Sequence, residues 1–209
     1  MTGRLLTVEG GEGAGKSSNL PLIERCLKAH RQSVVCTREP GGTPLSEHVR
    51  TLLLGLDYAA MSDDTELLLM FAARAEHLAK VIRPALAAGQ WVLCDRFTDA
   101  TYAYQGSGQG IEAGRIATLE RWTQGELRPD LTVLLDVPAQ VGMQRIGQRI
   151  GRDRIERQRL AFFEAVNASY RARARAEPQR FLVVDASQPL AQVQRDLIQG
   201  LRQRLADWS

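Results

Sequence analysis

Eight consecutive residues of this chain can hold a triphosphate. Gly10-Gly11-Glu12-Gly13-Ala14-Gly15-Lys16-Ser17 fits the pattern G-x-x-x-x-G-K-[ST] at every specified position. Glycines let the backbone turn so that successive N–H groups point at an anion. Lys16 reaches the outer phosphates, and Ser17 offers a hydroxyl to Mg²⁺. The helix that follows adds its positive N-terminal end. Glu12 is out of place in such a loop, because a carboxylate is repelled by the anion the loop binds. A donor hydroxyl on a second substrate, such as a sugar hydroxyl, would compensate it; the alternative is a side chain turned to solvent.

Other polar residues gather where strands should end. Asp95 closes the run Trp91-Val92-Leu93-Cys94, the position of a carboxylate that helps hold Mg²⁺ in phosphate-loop enzymes. Arg96 beside it, and Arg38 at the head of Arg38-Glu39-Pro40-Gly41-Gly42, suggest a second anion. The planar fork of arginine binds phosphate oxygens bidentately, so the acceptor is expected to be itself a phosphate. Over 66–86 the pattern predicts a long helix with Leu67, Phe71, Arg74 and Leu78 on one face. An Arg beside an aromatic suits a planar, hydrogen-bonding ring, although a Phe at helical spacing is more often core. Arg145, Arg149, Arg152 and Arg154, with Gly147 and Gly151 between them, read either as a solvated basic helix or as a mobile lid over 145–157. In the second reading their charge closes over the phosphates.

The elements that must position these residues are legible as a repeat. Five short apolar runs, 5–8, 33–37, 91–94, 131–135 and 181–184, read as strands covered on both faces, with helical patterns between them. A β-α alternation implies an α/β fold: a five-stranded parallel sheet with right-handed crossovers, flanked by helices in three layers. Ligands then bind beyond the carboxyl ends of the strands, where the polar clusters lie. The helix after the phosphate loop is expected over 18–30, with Pro21 distorting its first turns. Val193, Leu197, Leu201 and Leu205 mark a C-terminal amphipathic helix.

The whole chain excludes several classes. At 209 residues, 44% hydrophobic and 24% charged, it has the size and composition of one globular domain. A net charge of +3 is too small to argue for nucleic acid. No signal peptide opens the chain, and no apolar run approaches a membrane span. Cys26, Cys36 and Cys94, without C-x-x-C spacing, are expected to be buried reduced thiols of a cytoplasmic protein. The absence of Asn-Lys-x-Asp speaks against a guanine-nucleotide switch, which would also leave the acceptor-side arginines idle. Another small nucleoside or nucleotide kinase is the nearest alternative. Intact Lys16, Ser17 and Asp95 argue against a catalytically dead nucleotide-binding module.

Together these residues resemble thymidylate kinase, over essentially the whole chain. The resemblance rests on the loop with its internal Glu12, on Thr37-Arg38-Glu39-Pro40-Gly41-Gly42-Thr43, Phe71-Ala72-Ala73-Arg74 and Asp95-Arg96, and on Ala103-Tyr104-Gln105-Gly106 and Asp153-Arg154-Ile155-Glu156. It implies transfer of the γ-phosphoryl of Mg-ATP to dTMP, giving ADP and dTDP on the way to dTTP, in a cytoplasmic homodimer. Gly10, Gly11, Glu12, Gly13, Ala14, Gly15, Lys16, Ser17 and Ser18 would hold ATP, with Ser17 and Asp95 (through water) on Mg²⁺. Arg38 and Arg96 would hold the dTMP phosphate, and Phe71 would stack on thymine. Arg74 would bond the base edge, Thr101 and Gln105 would face the base, and Tyr104 would crowd the 2′ position. Glu12 would meet the 3′ hydroxyl. Some members carry an Arg where Gly13 stands, so the catalytic arginine is expected from the lid, at Arg149 or Arg154, beside Lys16, Arg96 and Asp95. Two departures touch the base pocket: Ala100 stands where Ser is usual, and Phe97 where Tyr, His or Ser is common.

Overall fold

A computed structural model describes residues 3–30, 33–58, 60–147, 154–156, 158–206 and 208. Five parallel strands, β1 (Leu5–Glu9), β2 (Val34–Arg38), β3 (Trp91–Asp95), β4 (Leu131–Asp136) and β5 (Phe181–Asp185), form one sheet in the order β2-β3-β1-β4-β5. All five runs expected as strands are present, each one residue longer at its carboxyl end, where a charged residue closes it. Arg38 pairs in register with Asp95, and Asp136 with Asp185. The polar residues therefore share one edge, as parallel alignment requires.

One face of the sheet packs on α1 (Lys16–His30) and α9 (Leu190–Ala206) through Leu6, Val8, Ile23, Leu27, Leu197 and Leu201. The other face carries α3 (Asp63–His77), the π-helical stretch Leu78–Ile82 and α4 (Arg83–Ala87), packed through Leu5, Leu78, Ile82 and Val92. Beside them α8 (Leu160–Ala176) packs through Val166 and Tyr170 against Leu134 and Phe181. The three layers are those expected. The helix predicted over 66–86 starts earlier, because Ser62 caps it through the Thr65 amide and Asp63, Asp64 and Glu66 favour its positive end. α1 runs through Pro21 unbroken. The α9 stripe at Val193, Leu197, Leu201 and Leu205 is buried as expected.

One expectation needs correction. β2 is an edge strand and only partly covered, so Cys36 is exposed; Cys26 on α1 is half-buried, and of the three thiols only Cys94 is buried. All three are unpaired. The stretch 145–157 lies mostly outside the described residues. Its first residues finish α7 (Ala139–Gly147), and 154–156 form a turn. The remaining helices are α2 (Pro44–Leu54), α5 (Thr98–Thr101), which continues as a π-helical stretch Tyr102–Gly108, and α6 (Ala113–Gln124).

Candidate active site

Two adjoining cavities, about 330 and 320 Å³, open at the carboxyl edge and share Gly13, Ala14 and Gly15 as a wall. The phosphate loop lies between strand and helix as its motif demands. Lys16 folds back over the loop, its Nζ donating to the carbonyls of Gly10 at 3.0 Å and Gly11 at 3.3 Å. Burial lowers the Lys16 pKa, and the like charge of Arg96 lowers it further. Ser17 and Asp95 line the larger cavity with Lys16, and Asp95 Oδ1 is buried without a hydrogen-bond partner. Gly13 has φ 70°, and a Cβ there would overlap the carbonyl of Gly142 in α7. The loop can carry no side chain at that point.

Arg96 follows Asp95 in the left-handed region, φ 67°, a conformation that costs a non-glycine residue about 1–3 kcal/mol. Its amide donates to Val8 O at 3.0 Å, and the next amide, Phe97 N, donates to Glu9 Oε1 at 2.7 Å. The guanidinium lies 4.6 Å over the Tyr104 ring, and Nη2 donates to Glu12 Oε1 at 2.5 Å. Tyr104 Oη donates to the same oxygen at 2.8 Å. Glu12 is thus compensated within the protein, rather than by a substrate hydroxyl alone. Burial works against the Arg96 charge, but Tyr104, Glu12, Tyr170 and Asp95 outweigh it and push its pKa well up. Glu9 and Tyr170 carried no signal in the sequence reading. Glu9 is fully buried at the end of β1 and accepts from Tyr170 Oη at 2.7 Å. Burial, with Asp99 nearby, raises its pKa to about 8.

Arg38 is displaced from its expected role. Its Nη2 and Nε donate to Glu47 Oε2 at 2.8 Å and Oε1 at 3.2 Å, an exposed bidentate pair outside the cavity. Glu47 also accepts from Gly42 N at 2.9 Å, so the carboxylate ties the strand-end turn to α2 and captures the fork. Arg50 stands on the cavity wall in its place, half-buried on α2, with Nη1 donating to Pro40 O at 2.9 Å. Burial lowers its pKa, with Arg38 adding to the effect. A sequence signal existed: α2 begins at the Pro-Gly-Gly turn, so its inward face must meet the crevice.

Behind the cavity wall formed by Glu39, Met70 and Gln105, Arg74 is buried against the rings of Phe71 and Phe97, 4.9 and 5.1 Å from their centroids. Its Nε donates to Glu39 Oε2 at 2.7 Å and its Nη2 to Thr101 Oγ1 at 2.9 Å, while Nη1 has no partner. Glu39 Oε1 meets His77 Nδ1 at 3.1 Å, and His77 Nε2 meets Thr37 Oγ1 at 2.6 Å. This polar chain fixes Arg74 from behind. Gly42 makes room for it, because a Cβ there would strike the His77 ring and the Thr37 hydroxyl.

Phe71 and Thr101 do not reach the cavity. Phe71 is packed with Leu67, Ile111 and Ile116, and Thr101 is spent on Arg74. The wall residues are Met70, one turn before Arg74 on the same helical stripe, with Ala100, Tyr104 and Gln105. Gln105 Nε2 donates to Glu66 Oε1 at 2.7 Å and leaves its Oε1 without a partner. Glu66 is also ion-paired with Arg154, whose Nε donates to Leu53 O at 2.9 Å. Arg154 therefore sits on the acceptor side of the cavity, not over the phosphate loop. Arg149 lies outside the described residues.

The second cavity was not anticipated. Ser18, Asn19, Arg145, Gln188, Pro189 and Leu190 line it, with the loop glycines. Arg145, expected as part of a lid, is pinned: Nη1 donates to Gly13 O at 3.2 Å and Ala186 O at 2.9 Å, and Nη2 to Ser187 O at 3.3 Å. A sequence signal existed here too: the run Asp185-Ala186-Ser187-Gln188 closes β5 with polar residues on the same edge as the phosphate loop.

Residues 8–197 match the family model described as thymidylate kinase. A curated protein named thymidylate kinase from Pseudomonas savastanoi pv. phaseolicola is 58% identical over 197 residues, 94% of each chain. One of the same name from Pseudomonas entomophila is 57% identical over 207 residues, 98% of this chain and 99% of its own. A crystal structure of thymidylate kinase from Ehrlichia chaffeensis superposes with a TM-score of 0.78 at 32% identity, covering 97% of this chain and 99% of that one.

Proposed function

We propose how the cleft works from one premise: the chain belongs to the thymidylate kinase family, and its activity is transfer of the γ-phosphoryl of ATP to dTMP, giving ADP and dTDP. The larger cavity takes dTMP. Arg50 and Arg96 grip its phosphate, Glu12 and Tyr104 border the deoxyribose, and Met70 and Ala100 form the apolar wall for thymine. The free Nη1 of Arg74 and the free Oε1 of Gln105 are the donor and acceptor that a base edge needs. The smaller cavity takes the base of ATP between Arg145 and the 188–190 turn, and the loop with Lys16 cradles the phosphates. The observation that carries this reading is the pair of cavities meeting at the phosphate loop, with Arg50, Arg96 and Arg154 on the acceptor side.

Mg²⁺ belongs to the proposal. The buried, unpartnered Asp95 Oδ1 beside Ser17 is a hard oxygen donor of the kind it takes. Among the described residues no group of three or more His, Cys, Asp or Glu could hold a metal. That suits an ion that keeps its waters and binds through one or two side chains plus substrate phosphates. When bound, the ion neutralises developing phosphate charge. An acceptor phosphate oxygen attacks the γ-phosphorus, the bond to the β–γ bridging oxygen breaks, and ADP leaves. No covalent enzyme intermediate is needed, so the protein contributes positioning and charge.

No helix among the described residues is long and apolar enough to cross a membrane. Cytoplasmic placement and a homodimer complete the proposal. Leu52 on α2, Leu68 on α3 and Tyr58 between them are exposed and offer the apolar face for a second copy.

The test is ADP release with and without dTMP. Turnover is expected to require the acceptor, with dUMP poorer by about 10- to 200-fold, the worth of one methyl in an apolar niche. Acceptor-independent ADP release, or equal rates with dCMP or thymidine, would overturn the reading. In the same assay Arg50→Ala is expected to raise the dTMP KM by about 10- to 100-fold, as for loss of a charge-assisted bond of roughly 1.5–3 kcal/mol. Arg38→Ala, which breaks only an exposed pair with Glu47, should change it less than about 3-fold. The reverse order would return Arg38 to the phosphate.

A further inference from the structure

The acceptor-side arginine is held by a group that the chemistry above does not use. We infer that Glu9 is a positioning residue for the acceptor phosphate: it fixes Arg96 through the Phe97 amide on one oxygen and the Tyr170 hydroxyl on the other. This rests on the reading of Arg96 as an acceptor ligand and adds the group behind it.

Two routes converge on Arg96. The backbone route begins with its left-handed φ of 67°, which a non-glycine residue keeps only where neighbours over-determine it. Val8 O takes the Arg96 amide at 3.0 Å, and Glu9 Oε1 takes the Phe97 amide at 2.7 Å, so both peptides flanking Arg96 are fastened to the end of β1. The side-chain route runs from Arg96 Nη1 to Tyr170 Oη at 3.3 Å, and from Tyr170 Oη to Glu9 Oε2 at 2.7 Å. Arg96 Nη1 also meets Gly10 O at 3.3 Å, within the phosphate loop itself. A carboxyl buried beneath the loop thus sets both where the Arg96 backbone turns and where its guanidinium rests.

The protonation state of Glu9 then bears on acceptor binding. The ionisable groups around it are Arg96, Lys16, Cys94, Asp99 of α5 and Tyr170 of α8. Burial and Asp99 keep the carboxyl neutral below about pH 8. As pH rises through that value Glu9 ionises, competes with the phosphate for the Arg96 charge and repels a dianion. Acceptor affinity should fall. A nucleotide phosphate is already a dianion above pH 7, so a fall centred near pH 8 does not come from the ligand's phosphate.

The experiment measures KM for dTMP and for ATP, with kcat, from pH 6.5 to 9.5, in the full chain and in Glu9→Gln, Glu9→Ala and Tyr170→Phe. In the unsubstituted protein the dTMP KM is expected to rise above pH 8 while the ATP KM does not. Glu9→Gln keeps one oxygen to accept from the Phe97 amide and an NH2 that can donate to the Tyr170 hydroxyl, but it cannot ionise, so the rise should vanish. Glu9→Ala should raise the dTMP KM by about 10-fold or more at pH 7, the cost of orphaning buried partners, and Gln should recover most of that loss. Tyr170→Phe should raise it less. A Glu9→Gln profile that keeps the alkaline rise would overturn the inference. So would an unchanged dTMP KM in Tyr170→Phe, and both of these variants are conservative enough to carry the test if Glu9→Ala fails to fold. Dependence of ADP release on dTMP, read in the same runs, tells failure of this inference from failure of the acceptor reading.

Discussion

Lys16→Ala is expected to lower kcat by at least about 10²- to 10³-fold, the loss that follows removal of one preorganised donor from a developing charge. The fold should barely notice. Lys16 Nζ touches only the carbonyls of Gly10 and Gly11 and contributes no contact to the apolar clusters. Thermal stability should therefore stay within about 0.5 kcal/mol. Equilibrium binding of dTMP should also survive, because its proposed ligands, Arg50, Arg96 and Gln105, belong to other elements. Lys16→Arg should not restore the rate, since a rigid fork cannot replace a compact ammonium at a crowded loop. The measurement is dTMP-dependent ADP release beside a dTMP titration and a melting curve. Near-wild-type turnover would mean that the loop is not the donor site.

The legibility of this site in the sequence follows a physical line. Backbone-driven features were readable: the glycines and lysine of the loop, the apolar strand runs, and the charged residues closing β2, β3 and β4 on one edge. Local sequence dictates those. What could not be read was side-chain direction around a helix or strand end. Phe71 and Met70 are neighbours in the sequence, yet Met70 faces the cavity and Phe71 joins Leu67, Ile111 and Ile116. Arg38 is the phosphate ligand that the sequence suggests, but Glu47, nine residues on, takes its fork, and Arg50 stands on the cavity wall instead. Thr101 looked like a base contact, but its hydroxyl is spent on Arg74, across 27 residues. Glu9 could not be found at all, because its neighbours Phe97 and Tyr170 come from 88 and 161 residues away. Such partners are chosen by tertiary packing, which no local pattern encodes.

The same reasoning divides the two lid arginines. Gly13 leaves the phosphate loop with no side chain of its own, and its φ of 70° with the Gly142 carbonyl against it forbids an arginine there. Charge on the transferring phosphoryl must be met from elsewhere. Arg145 is bound to Gly13 O, Ala186 O and Ser187 O, so its fork is occupied. Arg154 is paired with the buried Glu66, whose other oxygen takes amides of Gln105 at 2.7 Å and Gln109 at 2.9 Å. Withdrawing Arg154 to the phosphates would strand that carboxylate, at a cost of about 3–5 kcal/mol for a broken buried pair. Of the two arginines the family resemblance marks, Arg149 is therefore the one we propose for the charge on the transferring phosphoryl. Arg149→Ala is expected to lower kcat by about 10³- to 10⁵-fold, the worth of an arginine on a transferring phosphoryl group, with little change in dTMP Kd. Arg154→Ala is expected to act on the acceptor instead: it frees Glu66, disturbs Gln105 and raises the dTMP Kd, with a smaller loss in kcat. Steady-state rates and equilibrium dTMP titrations on both variants decide the matter. If Arg154→Ala takes the larger loss in kcat and leaves dTMP binding intact, the Glu66 pair must open during turnover, and the catalytic charge belongs to Arg154.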